Sequence, residues 1–268
     1  MTGLPHPLTD KLLVGKTENI GWITFNNPAR HNAVSLSMWQ ALTDTVQQFE
    51  ADDQIRVVVL TGAGEKAFVS GADISEFSEK RGSEEATQFY NETSQRAARA
   101  LQNLSKPTIA MIRGYCIGGG LGIALACDLR IASTNSRFAV PAAKLGLGYD
   151  YDGVRALMNV VGPSFTKEIF YTARQFSCEE ALQMGLINRA VNVEELQSYV
   201  TQYAETISGN APLTIRSIKT IVAQALIDES QRDVGICDAA VQTCFDSADY
   251  VEGRTAFMEK RKPQFKGR

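Results

Sequence analysis

The sequence predicts an α/β protein with parallel-type strands and a helical C-terminal part. Three observations carry that expectation. Residues 56–61 (RVVVLT), 108–112 (TIAMI) and 129–133 (LRIAS) are short and apolar or β-branched, and the first two suit strands buried on both faces of a parallel sheet. Helix-period stretches lie between strands in the first half of the chain, so strand and helix alternate there. From Asp152 onward the pattern is almost entirely helical. At 268 residues, with 44% hydrophobic and 21% charged residues, the chain has ordinary globular composition and length enough to bury a core.

Residues 14–26 (VGKTENIGWITFN) read as two strands joined by a polar turn at Glu18 and Asn19. Asn27-Pro28 then stops the sheet. Ser35 opens a helix running to about Glu50, with Leu36, Trp39, Leu42, Val46 and Phe49 on one face. After the strand at 56–61 comes a glycine-punctuated loop, 62–72, and then a long amphipathic helix, 83–104. A second glycine-rich loop, 114–122, follows the strand at 108–112, and residues 121–126 allow at most two helical turns. Strands are expected at 129–133 and 137–140. Ser177 and Glu180 have capping-box spacing. Helices are expected at 194–209, 212–228, 230–245 and 247–261. The chain divides into residues 1–200, a core carrying the site, and 201–268, a helical region that either continues that domain or packs as a subdomain.

Composition excludes several functions. With 27 Lys and Arg against 30 Asp and Glu, the formal charge of -3 argues against nucleic acid as a partner. No run approaches the roughly 18 apolar residues of a membrane span. Pro5, Pro7 and Asp10 stand where a signal peptide would be apolar, and five unpaired cysteines read as reduced thiols, so a cytoplasmic location is expected. No metal site is expected, because His6 and His31 are the only histidines and neither adjoins a cysteine pair.

The first chemical feature is the loop Gly114-Tyr-Cys-Ile-Gly118-Gly119-Gly120-Leu-Gly122, which follows a buried strand and opens a short helix. Glycines there let a ligand approach the main chain, where a helix start offers unpaired N–H groups. The alternative is a tight turn with close packing. The dinucleotide fingerprint fails, because Ile123 stands where its last glycine would be. The second feature is residues 66–74 (KAFVSGADI), after the strand at 56–61. Both loops are expected at the carboxyl edge of one sheet, where two converging N–H groups make an oxyanion hole. Ser70 lacks a G-x-S-x-G setting, which disfavours a serine hydrolase. His31 has no visible catalytic partner and reads as a loop residue.

These loops, with Asn27-Pro28, Asn32-Ala33, Lys106-Pro107, Asp128, Ala181, residues 185–187 (GLI) and residues 257–262 (FMEKRK), resemble the crotonase superfamily, the enoyl-CoA hydratase/isomerase family. The resemblance covers about residues 12–266. It implies a crotonase-type spiral of ββα units with a C-terminal helical trimerisation region, in a homotrimer or homohexamer. It implies an acyl-CoA substrate, with coenzyme A as part of the thioester and no separate cofactor. Carried over residue by residue, the oxyanion hole is formed by the N–H groups of Ala72 and Gly119. The CoA groove is lined around Arg30, Lys66, Ala67, Gly71, Asp73 and Ile74, and Phe257 and Lys260 reach a neighbouring subunit's CoA. For each cation the alternative is a solvated surface charge.

The chain also departs from the family pattern. Family hydratases carry two water-activating glutamates, and here their positions hold Gly122 and Ala142. Tyr149 and Asp150 stand where other family members place a tyrosine or a nucleophilic aspartate, and are the candidate replacements. The competing role for Asp150 and Asp152 is to cap a helix starting near Gly153. The main expectation is a hydratase/isomerase-like lyase working through a thioester enolate. The alternatives are decarboxylation of a malonyl-type acyl-CoA, a non-catalytic acyl-CoA-binding homologue, and, more remotely, a nicotinamide oxidoreductase.

Overall fold

The computed structural model describes residues 3–73 and 84–268. The chain opens with β1 (Leu4–His6), β2 (Thr9–Thr17) and β3 (Ile20–Phe25), paired antiparallel in succession. Glu18, at φ 51°, makes the β2–β3 turn expected at Glu18-Asn19. Helix α1 (Leu36–Ala51) starts where the Ser35 hydroxyl accepts from the Met38 N–H, and it buries Trp39, Leu42, Val46 and Phe49.

A repeated unit follows. It consists of β4 (Val57–Gly62), β5 (Ala67–Val69) and α2 (Glu84–Asn103); β6 (Thr108–Ile112), β7 (Tyr115–Ile117) and α3 (Gly119–Ala126); and β8 (Leu129–Ser133), β9 (Arg137–Ala139) and α4 (Tyr151–Thr172). In each unit the first strand joins a large sheet and the second joins a small one. The large sheet has the order β1-β2-β3-β4-β6-β8-β11, and the small one β10-β9-β7-β5. The last members are β10 (Phe176–Ser177) and β11 (Arg189–Val191), flanking α5 (Cys178–Gln183). This is the expected spiral of ββα turns, with β3, β4, β6, β8 and β11 parallel.

Both faces of the large sheet are covered, which explains the unbroken apolar run of β4. Val58 and Leu60 enter the main core with α1, while Val57 and Val59 face α6 (Leu196–Ser208) through Leu196, Val200 and Ala204. Helix α6 runs across position 200 and belongs to the sheet, so the change in packing falls at 209–211. Beyond it lie α7 (Pro212–Ala225), α8 (Val234–Phe245) and α9 (Ala248–Met258).

The capping box at Ser177 and Glu180 forms in both directions, and hydrogen bonds from Arg174 and the Ser177 N–H hold the Glu180 carboxyl down to about 2. Four short strands, β5, β7, β10 and β11, lie in segments that read as loop or helix from sequence. At two or three residues each they are too short to show alternation, and they exist only through pairing with another turn of the spiral.

Candidate active site

The small sheet sets the site. β5 pairs parallel with β7, Ala67 opposite Tyr115 and Val69 opposite Cys116. Parallel neighbours end at one edge, so the chain leaves β5 into Gly71-Ala72 and leaves β7 into Gly118-Gly119 side by side. The loops expected together are therefore together, although the strands that align them are β5 and β7 and not the apolar runs at 56–61 and 108–112.

The two main chains nearly touch. A Cβ built on Gly119 would lie 3.7 Å from the Ala72 nitrogen, and one built on Gly71 would lie 3.9 Å from the Gly119 nitrogen. Val34 bridges Ala72 in parallel, with its N–H donating to Gly71 O (2.9 Å) and its carbonyl accepting from Asp73 N (3.0 Å). A parallel bridge uses the flanking groups, so Ala72's own N–H is turned to the opposite side. Gly119 is the first residue of α3, where the N–H has no intrahelical acceptor. Among the described residues neither N–H donates to a backbone acceptor outside regular helices and strands.

Two glycines enforce this approach. Gly118 sits at φ 53°, in the left-handed region. Gly120 brings α3 so close to β5 that an added Cβ would lie 2.1 Å from Val69 O. Gly122 differs, because a Cβ there meets nothing within 4 Å. It lies one turn after Gly119 on α3, which packs against α2 on one side and α4 on the other.

The turn at 27–34 anchors the 70–73 loop. Ser70 N donates to His31 O (3.1 Å), and Arg30 pairs with the buried Asp73 carboxylate (3.3 Å). Within the turn, Asn32 is fully buried at φ 57°. Its Nδ2 donates to Ala63 O (2.9 Å) and Ala67 O (2.7 Å), while its Oδ1 accepts from Asn27 N (3.0 Å). Sequence reasoning quoted Asn32 without giving it a role. The only signal was an asparagine between Asn27-Pro28 and a helix start.

The other expected residues fall as follows. Lys66 is exposed, and its carbonyl accepts from Tyr115 N (3.0 Å). Ala67 is buried. Asp73 is engaged with Arg30 and is 4% exposed. Ile74 lies outside the described residues. Phe257 and Lys260 stand at the end of α9, and Phe257 lines an apolar groove of about 1040 Å³ between the C-terminal helices. His31 meets the Tyr115 ring edge-on at 6.1 Å. Cys116, on β7, is held protonated by burial.

Asp150, and not Asp152, caps α4: its Oδ1 accepts from Gly153 N (2.7 Å), and Gln95 donates to its Oδ2 (3.3 Å). Asp152 pairs with Arg99 and Arg155. The Tyr149 ring packs edge-on against Phe170 at 4.9 Å. Tyr149 keeps 37% of its surface exposed, yet the surrounding protein and then the Asp150 charge push its phenol above its usual value. Ala142 is buried.

Comparison with known proteins agrees with this architecture. The sequence model described as enoyl-CoA hydratase/isomerase matches residues 15–268. The chain is 34% identical over 260 residues to a short-chain-enoyl-CoA hydratase of Clostridium acetobutylicum, covering 97% of this chain and 99% of that one. It is 33% identical over 266 residues to a carnitinyl-CoA dehydratase of Escherichia coli, covering 97% and 100%. A crystal structure of an enoyl-CoA hydratase/carnithine racemase from Magnetospirillum magneticum superposes with a TM-score of 0.91 at 34% identity, covering 97% of both chains. A match along nearly the whole chain, together with the same spiral, places it: the protein belongs to the enoyl-CoA hydratase/isomerase family.

Proposed function

We propose that this protein processes acyl-CoA thioesters through an enolate, with the N–H groups of Ala72 and Gly119 as the oxyanion hole. The observation that carries the reading is the pair of free N–H groups held side by side at the ends of β5 and β7. As an enolate forms, charge moves onto the thioester oxygen. Two fixed donors and the start of α3 then stabilise the transition state more than the ground state. Arg30 and Lys66 are exposed beside this edge, where cations suit the phosphates of CoA. The named relatives include a hydratase and a dehydratase, and they do not favour the malonyl-type decarboxylase or the non-catalytic reading. The exposed apolar side chains of α7, α8 and α9, among them Ile218, Val222, Phe245 and Phe257, suit assembly into a homotrimer or homohexamer.

The direct test is loss of the enoyl-thioester absorbance of crotonyl-CoA and longer enoyl-CoA esters. Turnover well above the uncatalysed rate is expected. Enoyl-CoA esters that bind without turning over would reject the enzymatic reading.

Gly122 sharpens the reading. It lies inside a helix at an ordinary φ, and nothing crowds its missing Cβ. Glycine there destabilises α3 by about 1 kcal/mol relative to alanine. Packing does not require it, so the space itself is the use. Gly122→Ala is expected to raise thermal stability while altering the preference among acyl groups. Gly122→Glu places a carboxylate at a hydratase position and is expected to raise crotonyl-CoA hydration about tenfold, since positioned acid–base groups contribute roughly 10²–10⁴. Unchanged acyl preference and an unchanged rate in both variants would show that Gly122 does not face the acyl group.

A further inference from the structure

The opposite edge of the large sheet carries a second polar cavity, of about 310 Å³. Residues 53–56 lead into β4 and residues 105–107 lead into β6, and both segments line it. The cavity lies before the starts of β4 and β6 in the large sheet, whereas the proposed oxyanion hole lies past the ends of β5 and β7 in the small sheet.

The cavity is strongly cationic. Arg56, Lys106, Arg216, Lys266 and Arg268 line it, against a single acid, Asp53. Among the described residues none of the five cations forms an ion pair. Lys106 is only 8% exposed, and its ammonium donates to the carbonyls of Phe49 and Asp52. Arg56 donates to Ser208 O and Phe265 O. Carbonyl oxygens satisfy these N–H groups, and the carboxylates of Glu50, Asp52 and Asp53 act on the Lys106 charge without an ion pair among the described residues.

Two further features border the same space. Ser105 lines the cavity, and its hydroxyl oxygen, enclosed among protein atoms, has no hydrogen-bond partner among the described residues. Helix α7 begins at the cavity with Pro212 as its first residue, and Ala211 supplies no side-chain cap, so its first N–H groups lack a capping acceptor. Cations and uncapped helix-end N–H groups together form a receptor for a tetrahedral oxyanion.

We infer that this cavity binds a phosphate group, as inorganic phosphate or as the head of a small phosphomonoester, at a site separate from the acyl-thioester site. Its volume, at the lower end for small-molecule pockets, leaves room for little beyond the phosphate and a short substituent. The bound dianion neutralises the cations and joins the start of α7 to the C-terminal tail.

The test is thermal unfolding and calorimetric titration of the full chain with sodium phosphate at ionic strength fixed by sodium chloride. A stabilisation of about 2–5 °C at saturating phosphate is expected beyond the chloride control. Arg216 and Lys266 are exposed and make no side-chain hydrogen bond among those of the described residues, so Arg216→Glu and Lys266→Glu are expected to fold normally. Each is expected to weaken phosphate binding at least tenfold while turnover of enoyl-CoA stays at the wild-type level. Glycerol phosphate in place of inorganic phosphate identifies the source: tighter binding assigns the phosphomonoester, weaker binding the free ion. Equal stabilisation by chloride, or phosphate binding that survives both charge reversals, would overturn the assignment. Competition between phosphate and coenzyme A that Arg216→Glu abolishes would also overturn it, by merging this cavity with the CoA groove. Phosphate binding is read without any turnover, so its failure is distinct from failure of the acyl-CoA reading.

Discussion

Gly119→Pro is expected to yield a folded protein whose kcat for enoyl-CoA turnover is about 10²–10³-fold lower. Proline is well tolerated at the first position of a helix, since the N–H it removes has no intrahelical partner and its fixed φ suits the helix. Gly119 occupies that position in α3, and the nearest atom to a built Cβ is 3.7 Å away, so the added Cβ is accommodated. The substitution deletes one of the two proposed donors and leaves Ala72 in place. Gly119→Ala makes the complementary test. It keeps the N–H but sets a methyl 3.7 Å from the Ala72 nitrogen, in the space a thioester oxygen would enter. It is expected to fold with a small gain in stability and to lose activity through obstruction. Circular dichroism and the melting temperature establish folding in both variants. A folded Gly119→Pro protein with full kcat would remove Gly119 from the oxyanion hole.

These expectations began in the sequence, and the parts that were legible share a physical origin. β4 and β6 were visible because burial on both faces writes an unbroken apolar run into few residues. α1 and α5 were visible because Ser35 and Ser177 mark their starts by local chemistry. The glycines at 118–120 were visible because main-chain approach leaves only one residue type. What was hidden depends on distant partners. β5 and β7 have no periodicity of their own, yet their register brings Ala72 to Gly119. Asp150 and Asp152 are two residues apart, and the sequence left both as candidates for the cap that Asp150 forms. The cationic cavity draws on segments up to 215 positions apart and could not be seen from any one of them.

Asn32→Asp is expected to be the most damaging isosteric change near the site, lowering stability by about 3 kcal/mol and the melting temperature by roughly 6–12 °C. The shape is unchanged, and aspartate tolerates the left-handed conformation that φ 57° imposes. The acceptor facing Asn27 N survives. The amide that donated to Ala63 O and Ala67 O becomes an oxygen, and an ionised carboxylate cannot donate to either carbonyl. Two buried acceptors lose their donor, and a charge is placed where the side chain is fully enclosed. The effect reaches the chemistry through the main chain. Asn32 fixes the 27–34 turn, Val34 and His31 of that turn hold residues 70–73, and those residues aim the Ala72 N–H. At a temperature where Asn32→Asp is still folded, its kcat is therefore expected to fall beyond the loss due to unfolding, with KM changed less. Asn32→Ala separates aim from charge: it leaves the same acceptors without a donor but adds no carboxylate. A comparable fall in kcat for both variants is expected if the lost anchor is the cause. An Asn32→Asp protein melting within a degree of wild type, with unchanged kcat, would show that the turn holds its position without Asn32.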